Sequence, residues 1–273
     1  MKQPPTEILN AIAAGQDLNS LNWVSLDLSE VDLYQINLSG VNLKNTNFSG
    51  AILTNALFEG ANLSNANFSG ADLRGTDLRS ANLSGTNLQK AYLCRADLRG
   101  ANLTEADLTD AKLQVARYDS KTQWPTGFAY PKSGAVGPGA QLNGAFLNSA
   151  NLRDTDLQGA NFLGAYLSGA DLTGANLAGV SFSGADLRRA SLTGAYLRRA
   201  RLNNTQLDYA DFRSADLTDA ELEHVQSVTG ADFFGVEGLD EATRANLCHR
   251  NDREIDTWNP LTRRTTRESL ASW

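Results

Sequence analysis

The residues able to do chemistry are few. His224 and His249 are the only histidines, and Cys94 and Cys248 the only cysteines, in 273 residues. Cys248 and His249 are neighbours, and such a pair could serve as a nucleophile or half a metal site. Either role needs further groups converging from other elements, so the pair reads as a helix end with two ordinary polar residues. Carboxylates recur once per five residues, as in Ala71-Asp72-Leu73-Arg74-Gly75. That spacing suits turns and solubility, and it does not pair an acid with a base. The glycines fall at the same interval and form no phosphate-binding loop. The expectation is a chain without catalytic residues, cofactor or metal.

The elements that position these residues follow from one period. Every fifth residue from Leu18 to Tyr118, and again from Leu142 to Leu222, is large and apolar. The 38 repeats cover 190 of 273 residues, so a single pattern decides the fold. The position two before the central residue holds Ala 26 times and Thr 5 times, small enough to line a narrow interior. A period of five fits neither regular element: on a strand successive leucines would alternate faces, and on a helix they would precess around the axis. The chain must therefore turn once per repeat, and the polar and glycine residues flanking each Leu suit corners. Coils of this kind stack at the strand spacing of about 4.8 Å.

The A(D/N)LXX pattern, as in Ala101-Asn102-Leu103-Thr104-Glu105, resembles that of the pentapeptide repeat proteins. The resemblance implies an all-β fold, a right-handed quadrilateral β-helix solenoid with four repeats per coil and short helical caps. The segment from Ala116 to Phe128 is similar to an interruption in cyanobacterial and chloroplast members. Val228 to Phe233 and Thr262 to Arg267 resemble their C-terminal segments.

The expected divisions are an N-terminal helical cap at 1–15, a first array at 16–120, a loop interruption at 121–139, a second array at 140–224 and a C-terminal lid and tail at 225–273. The cap places Ile8, Leu9 and Ile12 on one side of a short helix after Pro4 and Pro5. Asp240 can cap a lid helix running to about Cys248, with Trp258, Leu261, Leu270 and Trp273 as anchors of the tail. Tyr118 and Leu142 are 24 residues apart, not a multiple of five, so residues 121–139 are expected to leave the coil. Their aromatics either form a functional loop or pack on a neighbouring face. The formal charge is −7, no apolar run is long enough to span a membrane, and the start lacks a basic stretch followed by an apolar core. The chain reads as soluble and cytoplasmic, with no membrane insertion. Two cysteines make no disulfide framework, and these two are not expected to pair.

Function is therefore expected on the outer faces, as a non-catalytic scaffold or regulator docking an unknown protein partner. Residues 20 apart stack in neighbouring coils. Tyr34, Ile52 and Tyr92 share a first-array face, with Leu57 round the corner. Phe146 and Tyr166 stack in the second array, with Tyr209 further along and Arg188 and Arg189 between. Trp124 and Phe128 of the interruption complete the candidate partner-binding residues. Exposed aromatics with Arg are what interfaces favour, although scattered surface apolars are ordinary. By resemblance to the family, photosynthetic or differentiation-related partners are implied. Some members also resemble duplex DNA and occupy the DNA site of gyrase, so the alternative is a DNA mimic binding gyrase or a topoisomerase. Such a mimic needs a dense acidic track. Here the arrays hold 12 acids against 8 bases and 10 against 7, and Arg188, Arg189, Arg198, Arg199 and Arg201 interrupt any stripe. No basic face exists to bind nucleic acid directly.

Overall fold

A computed structural model describes Asn10, Ala14, Leu18 and residues 21–271. The helical cap expected at 1–15 lies outside the described residues except for Asn10 and Ala14, as does the anchor Trp273. The chain forms two compact units, Met1–Val136 and Gly137–Trp273. Each is a right-handed, four-sided β-helix, in which the Asp/Asn position of one repeat bridges its counterpart 20 residues on. In the first unit Asp32, Ile52, Asp72, Tyr92 and Lys112 make one such column; in the second Gln141, Asn161, Ser181, Arg201 and Glu221 make another.

The repeat is explained by where its five amides go. Around Leu63, Ala61 N–H donates to Phe58 O across the corner (2.9 Å), Asn62 N–H to Val41 O of the preceding coil (3.0 Å) and Leu63 N–H to Asn82 O of the next (2.8 Å). Asn65 N–H also reaches the next coil, at Ser84 O (2.9 Å). The remaining amide, Ser64 N–H, donates to the Asn62 side chain (3.2 Å). The second unit repeats the scheme around Leu172, where Thr173 N–H donates to Asp171 Oδ1 (3.0 Å). A buried unpaired amide would cost about 1–3 kcal/mol, so the Asp or Asn of each repeat is a staple holding the corner in the manner of an Asx turn. The residue two past each Leu takes a positive φ, such as 64° at Gly50 and 60° at Asn45. That sign is the one a type II turn requires and explains why Gly, Asn, Ser and Asp dominate the position.

Inside, the central residues and the small residues two before them are buried. Phenylalanines 20 apart stack, Phe48 on Phe68 at 5.0 Å in the first unit and Phe162 on Phe182 at 5.1 Å in the second. Where Thr replaces Ala its hydroxyl is also satisfied: Thr76 Oγ1 donates to Leu73 O at 2.8 Å.

The interruption departs from expectation. Residues 121–139 do not leave the coil as a block, because Gln123 still bridges Asn102 and Val136 bridges Arg117. The offsets of 21 and 19 show one residue gained and then two lost, so the segment is an irregular circuit of the coil. Asp119 makes the insertion tolerable: its carboxylate accepts from the amides of Gly100 (2.9 Å), Lys121 (3.0 Å) and Thr122 (3.1 Å). Burial opposes ionisation of Asp119, and these bonds outweigh it, holding its pKa below the ordinary carboxylate range. Between the bridges, the loop aromatics pack together, Trp124 stacking on Tyr130 at 5.4 Å with Tyr118 and Phe128 against it at 5.6 and 5.5 Å.

In the second unit the coil likewise continues beyond 224. Ser227, Asp232 and Glu237 bridge Gln206, Asp211 and Asp216 at offsets of 21. The lid proper starts at Asp240, whose carboxylate accepts from Thr243 N–H (2.8 Å) and caps α1, Glu241–Cys248. It continues through α2 (Asp252–Ile255), β1 (Trp258–Asn259), β2 (Arg264–Thr265) and α3 (Thr266–Ala271). Side chains of this lid replace a further coil. Glu254 Oε1 accepts from Val228 N–H (2.7 Å), Ser269 Oγ from Phe233 N–H (3.0 Å), and Asn259 Nδ2 donates to Gly230 O (2.7 Å). Arg250 donates to Val225 O and Gln226 O, both at 3.0 Å, where the extra residue has displaced the register. The exposed edge of a β-stack, a template for aggregation, is thereby closed. Of the expected tail anchors among the described residues, only Leu270 is buried; Trp258 and Leu261 are exposed, because polar side chains hold the lid down instead.

Two predictions follow from these bonds. At the join of coil and lid, Gly238 has φ 71°, and a Cβ there would stand 2.5 Å from Thr218 Cα and 2.6 Å from its amide nitrogen. Gly238→Ala should lower stability by about 2–4 kcal/mol, read as a fall in the urea midpoint. Asp72 and Asp186, each bonded to an Arg, share the depressed pKa of Asp119. A depressed folded-state pKa gives stability that is present above the ordinary value of about 3.9 and lost as pH falls through the folded one. The thermal midpoint should hold to about pH 5 and drop below about pH 4; the deficit of Asp119→Asn relative to the parent should shrink over that drop.

Candidate interaction surface

The residues of possible chemistry do not assemble. His249 ends α1, its Nδ1–H donating to Ala245 O at 2.6 Å, while His224 sits at a coil corner with φ 57°. Cys94 and Cys248 are both free thiols, and Cys94 Sγ lies 3.3 Å from Gln114 Oε1. Among the described residues no group of His, Cys, Asp or Glu could hold a metal ion.

The carboxylates are committed to the corners. Where Asp precedes and Arg follows the central residue, the Arg closes back over that Asp: Arg79 Nε reaches Asp77 Oδ1 at 2.8 Å and Arg79 Nη2 reaches Oδ2 at 2.6 Å. Arg74 with Asp72, Arg99 with Asp97, Arg188 with Asp186 and Arg213 with Asp211 repeat the clasp. For Asp72 and Asp186 the guanidinium bond is the main cause of the lowered pKa; at Asp77 burial is the largest influence, and the Arg79 bonds overcome it. The clasp sets an adjacent cation against an acid five times in these arrays.

Large apolar side chains take over the stapling position at a few places. In the first unit Ile52 and Tyr92 stand in one column with Asp72 between them, Tyr34 lies at the corner following Asp32, and Leu57 occupies the next column. All four are exposed. In the second unit Phe146 bridges Tyr166 and the rings stack at 4.9 Å with planes 3° apart. Phe146 is 80% exposed, and Leu163 is exposed at the corner leading onto the same face. Tyr209 is placed differently from its neighbours: it is a corner residue with φ 59°, half-buried, not a member of the flat face. Trp124 and Phe128 are half-buried within their own aromatic cluster. Tyr196, exposed in the column of Asn176 and Asp216, was missed by sequence reasoning. Its signal was available, since it occupies the same stapling position as Tyr92.

At Ile52, Leu57, Tyr92, Phe146, Tyr166 and Tyr196 the amide two residues on loses its stapling oxygen. Ser168 N–H, past Tyr166, finds Asn148 Oδ1 of the preceding coil instead, at 3.1 Å.

Comparison with known proteins agrees with this geometry. A family model described as pentapeptide repeats matches residues 27–65, 42–79, 76–114, 139–174, 165–204 and 195–226. Among solved structures, Rfr23, a pentapeptide repeat protein from the cyanobacterium Cyanothece 51142, is 42% identical over 34% of this chain, with a TM-score of 0.34. That match spans 63% of Rfr23, just under two thirds of its length. HetL, a pentapeptide repeat protein involved in heterocyst differentiation regulation from the cyanobacterium Nostoc sp. strain PCC 7120, is 28% identical over 85% of this chain and 95% of its own, with a TM-score of 0.35. Full-length QnrB1, a plasmid-mediated fluoroquinolone resistance protein, is 21% identical over 81% and 97%, with a TM-score of 0.31. No curated protein matches the chain. Among the described residues no helix is long and apolar enough to cross a membrane. With the family model covering well over half of the residues, and its repeats bridged at intervals of about 20 in both units, the chain belongs to the pentapeptide repeat family.

Proposed function

We propose that the protein is a non-catalytic scaffold whose outer β-helix faces dock a protein partner. The observation carrying this reading is the replacement of corner-stapling Asp or Asn by exposed apolar residues at Ile52, Leu57, Tyr92, Phe146, Tyr166 and Tyr196. Every replacement but that at Tyr166, where Asn148 takes up the Ser168 amide, forgoes a hydrogen bond worth about 0.5–1.5 kcal/mol, and all six leave a large side chain in water. Local stability does not favour either change, whereas burial against a partner favours both. Tyr34, and any open edge of the Trp124 and Phe128 cluster, would extend the first-unit surface; Tyr209 belongs to a separate corner.

The alternative, a DNA mimic for gyrase, has less support. The Asp-X-Arg clasps place a cation on the very carboxylates that would form its acidic track, and charge similarity to a duplex is what such a role needs. Inhibition of supercoiling by the purified chain would favour it. A cytoplasmic setting fits a scaffold of this kind and is part of the proposal.

The test uses substitutions that restore the staple. A variant carrying Ile52→Asn, Tyr92→Asn and Phe146→Asn should keep or raise its thermal midpoint, because each Asn can cap its corner amide. Captured from native lysate beside the parent, it should lose a protein the parent retains. An identical set of captured proteins on both, with both folded, would contradict the scaffold reading at these faces.

A further inference from the structure

One corner of the second unit is built unlike its neighbours. In successive coils the corner residues Gly169, Arg189, Tyr209 and Gly230 follow one another, Arg189 N–H donating to Asp208 O at 2.8 Å and Tyr209 N–H to Thr229 O at 2.7 Å. Arg189 (φ 58°) and Tyr209 (φ 59°) hold the left-handed conformation that glycine provides above and below them. That backbone is common to the corners of the arrays, Arg199 and His224 included; this corner differs in setting two large side chains, Arg189 and Tyr209, in successive coils. The ring of Tyr209 lies over Gly230, where a Cβ would be only 2.8 Å from Tyr209 Cδ1. Glycine is thus required at 230 for the ring to lie as it does.

The lid supplies the facing wall. Asn259, fully buried and bonded to Gly230 O, fixes β1; Trp258 just before it is 54% exposed and Leu261 in the turn beyond it 78%. These residues and Pro260 enclose with Arg189 and Tyr209 an open groove of about 550 Å³. A second concavity of about 370 Å³, lined by Ser168, Arg188 and Asp208, shares Arg189 and Tyr209 and continues the groove.

Charge selects the occupant. Arg188 is engaged by Asp186 at 2.7 Å, and Asp208 accepts from Ser227 Oγ at 2.8 Å. Asp208 keeps its charge and lines the second concavity, whereas Arg189 forms no ion pair among the described residues and is the charged side chain lining the groove against the lid. A guanidinium beside an aromatic and aliphatic wall suits a carboxylate adjacent to a large apolar side chain. The groove is open and shares Arg189 and Tyr209 with the second concavity, which suits an extended chain better than an enclosed small molecule.

We propose that this groove binds an extended acidic peptide segment of a partner protein, with a carboxylate on Arg189 and an apolar side chain held between Tyr209, Trp258 and Leu261; the proposal rests on the scaffold reading and names the chemistry of one partner segment. The test is fluorescence anisotropy with the full chain and a fluorescein-labelled peptide, Gly-Asp-Asp-Phe-Leu-Asp-Gly. Versions with every Asp changed to Lys, or with Phe-Leu changed to Gly-Gly, should bind at least tenfold more weakly. Arg189→Gly restores the commonest corner residue, the one at 169 and 230 in the same column, so its thermal midpoint should not fall, yet it should weaken binding of the acidic peptide at least tenfold; Leu261→Ser, at an exposed position, should do the same. Equal binding of the Lys peptide, unchanged binding to Arg189→Gly, or no binding of the acidic peptide at millimolar concentration would overturn the proposal. A partner captured by the parent and lost by the Asn-restored faces, with no binding of the acidic peptide, would remove this groove and leave the scaffold reading standing.

Discussion

The structure depends on one constraint: a coil that turns every five residues must find a partner for five amides per repeat without the help of a regular strand. Four go to backbone carbonyls, one across the corner and three to the coils on either side. The fifth has only the Asp or Asn side chain two residues earlier, as with Ser64 and Asn62 or Thr173 and Asp171. The A(D/N)LXX pattern is this accounting written in sequence. Ala leaves room for the corner, Asp or Asn staples it, Leu fills the interior, and the last residue must accept a left-handed backbone.

The same accounting governs the irregular parts. One extra residue near 119–122 displaces a carbonyl, and the Asp119 carboxylate takes its place for Gly100. One extra residue after His224 frees two carbonyls, and Arg250 covers them. At the C-terminal edge there is no next coil, so Glu254, Asn259 and Ser269 stand in for it. Polar side chains do at these places what the backbone does elsewhere, which is why the lid is fastened by hydrogen bonds while Trp258 and Leu261 remain uncovered.

Much of this was legible in the residues. A chain turning once per five residues with Leu and Phe inside follows from period and composition; the four sides, and with them the columns of residues 20 apart, came from the resemblance to the family. What periodicity could not show was the reach of the pattern where it slips. Counting 24 residues from Tyr118 to Leu142 suggested that 121–139 leaves the coil, yet Gln123 and Val136 remain bridged, because a side chain can absorb a one-residue error that a strict repeat cannot. The exposed faces around Ile52, Tyr92, Phe146 and Tyr166 were readable as departures from Asp or Asn. Tyr196 obeyed the same rule and was overlooked. The groove at Arg189 was not readable at all, since it joins a coil corner to a hairpin about seventy residues further on in sequence.

The central claim is that exposed apolar residues at the stapling position are held there at the expense of a corner hydrogen bond. Site-resolved amide hydrogen exchange on the isolated protein tests it most directly. The amides of Thr54, Glu59, Cys94 and Asn148, which follow Ile52, Leu57, Tyr92 and Phe146, should exchange faster than those of Ser64, Ser69, Arg74 and Thr173, which follow Asn or Asp. Equal protection at the two sets would mean that the apolar residues forgo nothing, and the argument that a partner accounts for them would lose its physical basis.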